Sequence, residues 1–484
     1  NTSPDMNPCR VSLLLAFLAL FTGTYSQETI ITGKNTEYAG KSFEIYTIEN
    51  PFTGQKRALD SLRFTRNGDF RETLTLNEPE WISMEMGALQ TILFIQPGNQ
   101  YDLYIPPRRE KTEAEEKNPF FQPVRVHLRV KKQIEKEKKD TIFPPADINS
   151  KIFRFDTLIF SRNRELLEAR RDNKTFDADS LIQTIEDRFI RDTSDYFRNY
   201  RYFRYGLVQI NSSDKKLKFL YDNYLQQTLP QTGNPAYMEL FNKMYDRFFF
   251  YYARTPQGKG LVSVINRKHD LKELRSLLKN HPAIPDDTLA DLVILKEVNE
   301  QFYKNIFYKK ALLILLDSLG KNPALPHYEK LAPGIHDKLT SLMIGTPPPE
   351  LTLTDRYGKT RSLDNFKGRY IYLNFCTTDN YTCMMEYPFL ESMHSKHAGY
   401  LEVLTVMVSE SHQKMVEFME RNNYHWNALY YDQDHELLEK YDIRAYPTAY
   451  LIGPDGRLIQ SPATLASEGF EEQLFRIMRA RGDL

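Results

Sequence analysis

The stretch that most constrains this chain is Tyr370-Ile-Tyr-Leu-Asn-Phe375, an apolar alternating run that leads through Cys376 into a short polar loop and a second cysteine, Cys383. A run of this kind predicts a buried strand, and the residues from Cys383 onward predict a helix that carries Pro388 after its first turn. Between the two lie Asn380, Tyr381 and Thr382, which form the connecting loop.

The residues of this segment resemble the TlpA/ResA-like branch of the thioredoxin family. The usual text there is N-F-W-A-x-W-C-x-x-C-x-x-E-x-P, and Asn374, Phe375, Glu386 and Pro388 fall on its matching positions. Cys383 falls on the second, resolving cysteine. The first cysteine, the nucleophile, falls on Asn380, and the tryptophan after the phenylalanine falls on Cys376. The opening Ile344-Gly-Thr-Pro-Pro-Pro-Glu350 also resembles the start of thioredoxin-like and peroxiredoxin-like domains. Further on, Tyr446-Pro447-Thr448 fits the place where the family carries a cis-proline followed by threonine, facing the active loop; cis bonds are nearly confined to X-Pro. The resemblance covers roughly the last 140 residues and implies a thioredoxin fold, with a polypeptide substrate met by backbone pairing along Tyr446, Pro447 and Thr448.

What the resemblance leaves open is the chemistry. A thiol-disulfide enzyme needs an exposed, acidified thiolate, usually at a helix N-terminus. Asn380 cannot supply one, and the family shields the position held by Cys383. One reading is therefore a redox-impaired domain that binds a polypeptide. The other is an oxidoreductase with a displaced catalytic pair, Cys376 and Cys383. Joining them closes a loop of eight residues, for which chain entropy gives roughly 2 to 3 kcal/mol if unstrained. Cα atoms more than about 7 Å apart cannot be bridged without backbone movement. A strand end and the next helical turn lie close to that limit.

At 484 residues the chain exceeds one ordinary core, and two to four domains are expected. The 64 basic and 64 acidic residues cancel, so no global field draws nucleic acid or an anionic membrane. Arg10, the apolar run Val11 to Phe21 and the small residues up to Ser26 read as a secretory signal, residues 1–26, which touches the membrane only transiently. The expected location is the periplasm or envelope of a Gram-negative bacterium, with a protein or peptide substrate there. Export leaves Cys376 and Cys383 as the cysteines of the mature chain, in a compartment that favours disulfides.

Residues 27–140 alternate in short runs and are expected to form a β-sandwich. Phe43 to Ile48 is one strand, Asn67-Gly68 is a hairpin turn ahead of Leu74 to Leu76, and Leu93 to Ile95 pairs with Tyr101 to Ile105. Val124 to Val130 is expected to add one last strand. The region resembles the all-β domain found N-terminal to TlpA-like domains in Gram-negative envelope proteins. Residues 141–343 shift to a helical period. Leu181, Ile182, Ile185, Phe189 and Ile190 share one face, and Leu292, Leu295, Val298, Phe302 and Ile306 share another. Residues 344–484 form the thioredoxin-like domain. The whole is a multidomain α+β chain: a β-sandwich, an all-α middle, and a C-terminal α/β domain.

No Walker, dinucleotide, zincin or nucleophile-elbow motif occurs, and no cofactor or metal is expected. His394 and His397 lie near Cys383 in sequence, but helical spacing keeps Cys383 away from both.

Overall fold

The computed structural model describes residues 27–484 apart from 117, 119–120, 135–146, 173–176, 191, 193 and 213–215. The proposed signal and the boundary at residue 140 lie outside the described residues.

Among the described residues the N-terminal region contains nine strands: β1 (Gln27–Lys34), β2 (Ser42–Asn50), β3 (Gln55–Arg63), β4 (Asp69–Leu76), β5 (Glu80–Met86), β6 (Leu89–Ile95), β7 (Gln100–Tyr104), β8 (Val124–His127) and β9 (Arg129–Ile134). They form two sheets, ordered β4-β1-β7-β9 and β3-β2-β5-β6-β8. Ile31, Ile45, Leu62, Ile82, Met84, Leu93 and Leu103 are completely buried in one core, as two layers of alternating strands require.

Pairing departs from the sequence reading at three places. The turn at Asn67-Gly68 forms, with Gly68 at φ 77°, where a Cβ would meet the backbone of Asn35 at 2.6 Å. It joins β3 to β4, which lie in different sheets, so it is a corner and not a hairpin. The segments ending in Ile95 and beginning near Tyr101 likewise part company: β6 pairs with β5 and β8, and β7 with β1 and β9. The single strand expected over Val124 to Val130 breaks at Leu128 and serves both sheets. Leu128 is buried and its N–H reaches Ile92 O at 3.0 Å, which keeps the backbone satisfied through the crossing.

The middle region is helical: α1 (Ile148–Arg171), α2 (Ala178–Glu186), α3 (Asp195–Ser212), α4 (Pro235–Met244), α5 (Phe248–Tyr252), α6 (Leu271–Leu278), α7 (Asp287–Gln301), α8 (Lys309–Lys321) and α9 (Tyr328–Thr340). α7 is the axis of the bundle, and Leu292, Leu295 and Val298 are fully buried in it with Asp291 and Glu297. The face proposed from Leu181 to Ile190 is shorter than expected. α2 stops at Glu186, and Ile190 is 73% exposed in the turn beyond. The two regions are stitched together. Asn149 of α1 accepts from Phe94 N at 2.8 Å and donates to Phe94 O at 2.9 Å, Tyr196 stacks on Phe94, and Asn50 Nδ2 donates to Leu331 O.

The C-terminal region is one seven-stranded sheet with β10 (Thr352–Asp355), β11 (Thr360–Ser362), β12 (Tyr370–Thr377), β13 (Leu401–Val408), β14 (Asn427–Tyr430), β15 (Thr448–Ile452) and β16 (Leu458–Gln460), in the order β11-β10-β14-β13-β12-β15-β16. β12 runs parallel to β13 and antiparallel to β15. Around the sheet lie α10 (Tyr381–His397), α11 (His412–Arg421), α12 (His435–Lys440) and α13 (Phe470–Arg481). β12 and β13 are buried at every position, as central strands covered on both faces must be. Three regions, β, α and α/β, thus follow one another as the periodicity implies.

Candidate functional site

The site is built where β12 ends. Cys376 is the penultimate residue of the strand and Cys383 stands in the first turn of α10, so the chain reverses between them over six residues. Helix α10 begins two residues earlier than the sequence reading places it, at Tyr381, because Asn380 is a good N-cap: its side chain accepts the Cys383 N–H at 3.1 Å. Asn380 is held in turn by Thr377, whose Oγ1 accepts the Asn380 N–H at 3.1 Å. Thr382 and Tyr381 point outward, the latter 78% exposed.

Both cysteines are free thiols with no exposed surface. Each sulfur accepts from a fixed donor: Asn374 Nδ2 at 3.3 Å from Cys376 Sγ, and Thr377 N at 3.4 Å from Cys383 Sγ. Burial pushes the Cys376 thiol well above its ordinary value, and the neighbouring Cys383 thiol, in hydrogen-bonding contact with it, pushes the same way. Tyr387, one helical turn beyond Cys383, is fully buried and donates its hydroxyl to Thr377 O at 2.6 Å, with Met407 Sδ 3.4 Å from Tyr387 Oη. Its ring stacks on Trp426 at 5.8 Å.

The Tyr446-Pro447 bond is cis. Thr448 opens β15 opposite Phe375, so this loop lies beside the end of the strand that carries Cys376. Tyr446 is half-buried, its hydroxyl is buried with no hydrogen-bond partner, and burial together with the two adjacent thiols raises its phenol above the usual value. The fold therefore gathers Cys376, Cys383 and Tyr446 into one locus, caps it with Asn380, and leaves Tyr381 and Thr382 at the rim.

Glu386 is buried and turned to Ser467, accepting its N–H at 3.2 Å and its hydroxyl. His397 is taken up by Glu471 and Tyr400, away from the thiols. Among the described residues no three His, Cys, Asp or Glu side chains converge as a metal site. Thr377, Tyr387 and Met407 were not singled out in the sequence. Only Tyr387 left a signal, its place one turn after Cys383.

A parallel-centred sheet flanked by helices, with a strand–loop–helix turn beside a cis-proline loop, defines a thioredoxin-fold domain. Residues 344–461 match the AhpC/TSA family. Over 122 residues, 25% of this chain and 67% of the relative, the sequence is 31% identical to the thiol-disulfide oxidoreductase ResA of Bacillus subtilis (strain 168). ResA of Bacillus thuringiensis subsp. konkukian is 28% identical over 170 residues, 35% of this chain and 91% of that one. Through this domain the chain belongs to the ResA-like thiol-disulfide oxidoreductase family. Among solved structures, the thioredoxin domain of a Bacteroides vulgatus thiol-disulfide oxidoreductase is 22% identical over 28% of this chain and 99% of that one, at a TM-score of 0.26.

Proposed function

We propose that this is a redox-impaired, polypeptide-binding member of the family, exported to the cell envelope. The observation that carries the reading is the N-cap of α10: the position the family gives to the attacking cysteine holds Asn380, an amide with no nucleophilic sulfur, and the thiols behind it are wholly buried. Thiol exchange requires in-line access of a thiolate to a disulfide, and neither Cys376 nor Cys383 offers it. Polypeptide binding draws support from the surface beside the loop. Tyr381, Met384, Met385 and Phe389 are exposed along one face of α10 at helical spacing, an apolar stripe with adaptable methionines on the helix that carries Cys383. Localisation to the envelope rests on the N-terminal signal pattern; among the described residues no helix is long and apolar enough to cross a membrane.

The test is an insulin-disulfide reduction assay on wild type and Asn380→Cys. Wild type is expected to show no turnover above background, and the variant to gain at least about tenfold, because its new thiol sits at a helix N-terminus that stabilises the thiolate. An active wild type, or an inert but folded Asn380→Cys, overturns the reading.

A second reading, an oxidoreductase using Cys376 and Cys383, is favoured by one observation: the two thiols are in mutual contact. It requires a bridge that opens near the envelope's own redox poise in a glutathione titration, followed by alkylation and mass mapping of both cysteines.

A further inference from the structure

We propose that Cys376 and Cys383, with the Met407 thioether, form a buried site for a soft monovalent cation, Cu(I). This goes beyond the polypeptide-binding reading and does not rest on it.

Two thiols and a thioether are gathered around one buried side chain, Tyr387. The two thiols touch, and Met407 lies level with Cys376 on the adjoining parallel strand, so both side chains leave the same face of the sheet. Tyr387 Oη ties the group together, being 3.4 Å from Met407 Sδ and in hydrogen-bonding contact with Cys376. All three residues are completely buried.

Ligand chemistry selects the ion. Structural zinc asks for four N or S ligands and the hard cations ask for oxygen, and among the described residues no third His, Cys, Asp or Glu joins the pair. Thiolate and thioether donors in small number suit Cu(I). Binding breaks two S–H bonds and forms three S–Cu bonds, two from the thiolates and one from the neutral Met407 thioether. Two protons pass to the buffer, no electron moves, and the copper stays Cu(I). The site then carries one net negative charge. Donors already aimed at the sulfurs receive it: Asn374 Nδ2 on Cys376 and Thr377 N on Cys383, with Cys383 in the first turn of α10, where the helix dipole favours negative charge.

The experiment titrates the reduced full chain, without oxygen, with Cu(I) held as its coloured bicinchoninate complex. One Cu(I) per chain is expected to leave the chelator. In Cys376→Ser/Cys383→Ser the affinity should fall at least a hundredfold, and in Met407→Leu about tenfold. Zn(II) in place of Cu(I) should not be retained. Because buried serines can unfold the domain, copper K-edge absorption on loaded wild type supplies an independent reading, and a first shell of sulfur alone is expected. The proposal is overturned by failure of wild type to withdraw copper, by binding that survives the double serine variant, by unchanged affinity in Met407→Leu, or by nitrogen or oxygen in the shell.

Discussion

Asn380 serves the fold directly, because an amide oxygen at a helix start satisfies an N–H that a cysteine there would leave to water. Removing that oxygen has a calculable effect: Asn380→Ala should destabilise the C-terminal domain by about 1 kcal/mol in urea unfolding, while Asn380→Asp should retain stability through the same cap and the dipole. Equal stability of Asn380→Ala and wild type would show that the cap contributes nothing. The places of Cys376, Cys383, Asn380 and the cis Tyr446-Pro447 bond were legible through the resemblance to the thioredoxin family, on whose motif these residues fall. The parts played by Thr377, Tyr387 and Met407 were not, since they arise only when α10 folds back on β12 and β13 lies beside it.

Among the elements, α7 shows what periodicity reveals and what it conceals. Leu292, Leu295 and Val298 announce a helix, but the charged residues between them suggest a solvated side, whereas Asp291, Lys296 and Glu297 are as buried as the leucines. Glu297 accepts the N–H groups of Phe248 at 2.7 Å and Phe249 at 3.0 Å, so it finishes the start of α5 from another helix. Burial raises its carboxyl to about 7. Between the unfolded value near 4.5 and that point the folded chain holds a proton the unfolded chain has released. Its contribution is therefore complete at low pH and lost as pH rises through 7, on the order of 3 kcal/mol. Urea unfolding at pH 5 and pH 8 should show this decline, and Glu297→Gln should flatten it. The strand pairing of the N-terminal region was concealed for a related reason. Asn67-Gly68 fixes a reversal of the chain, but which sheet receives the next strand depends on contacts made far along the sequence.

At the level of the whole molecule, the β and helical regions share an interface with its own acid limit. His127 of β8 sits edge-on to Trp81 at 5.4 Å and 3.9 Å from Asp156 of α1, and Arg204 of α3 lies 3.8 Å from the same carboxylate. Burial, followed by the charges of Arg204 and Arg125, lowers the imidazole to about 4. The unfolded chain takes up that proton near 6.5, so the stabilisation is intact above 6.5 and falls away toward pH 4. The chain has two tryptophans, Trp81 at this interface and Trp426 in the C-terminal core, so Trp426→Phe leaves Trp81 as sole reporter. Its unfolding midpoint in guanidinium should drop between pH 7 and pH 4.5, and His127→Gln should reduce the drop. A midpoint independent of pH would mean that the imidazole is not sealed in.

The crossing at Leu128 also has a mechanical side. One continuous length of backbone is the outer thread of both sheets, parallel to β6 before the break and antiparallel to β7 after it. A pull applied beyond Ile134 cannot peel one sheet and spare the other, because tension must first strip β9 and then travels through Leu128 to load β8 lengthwise against β6. The N-terminal region should give way to force as two linked rips in a fixed order.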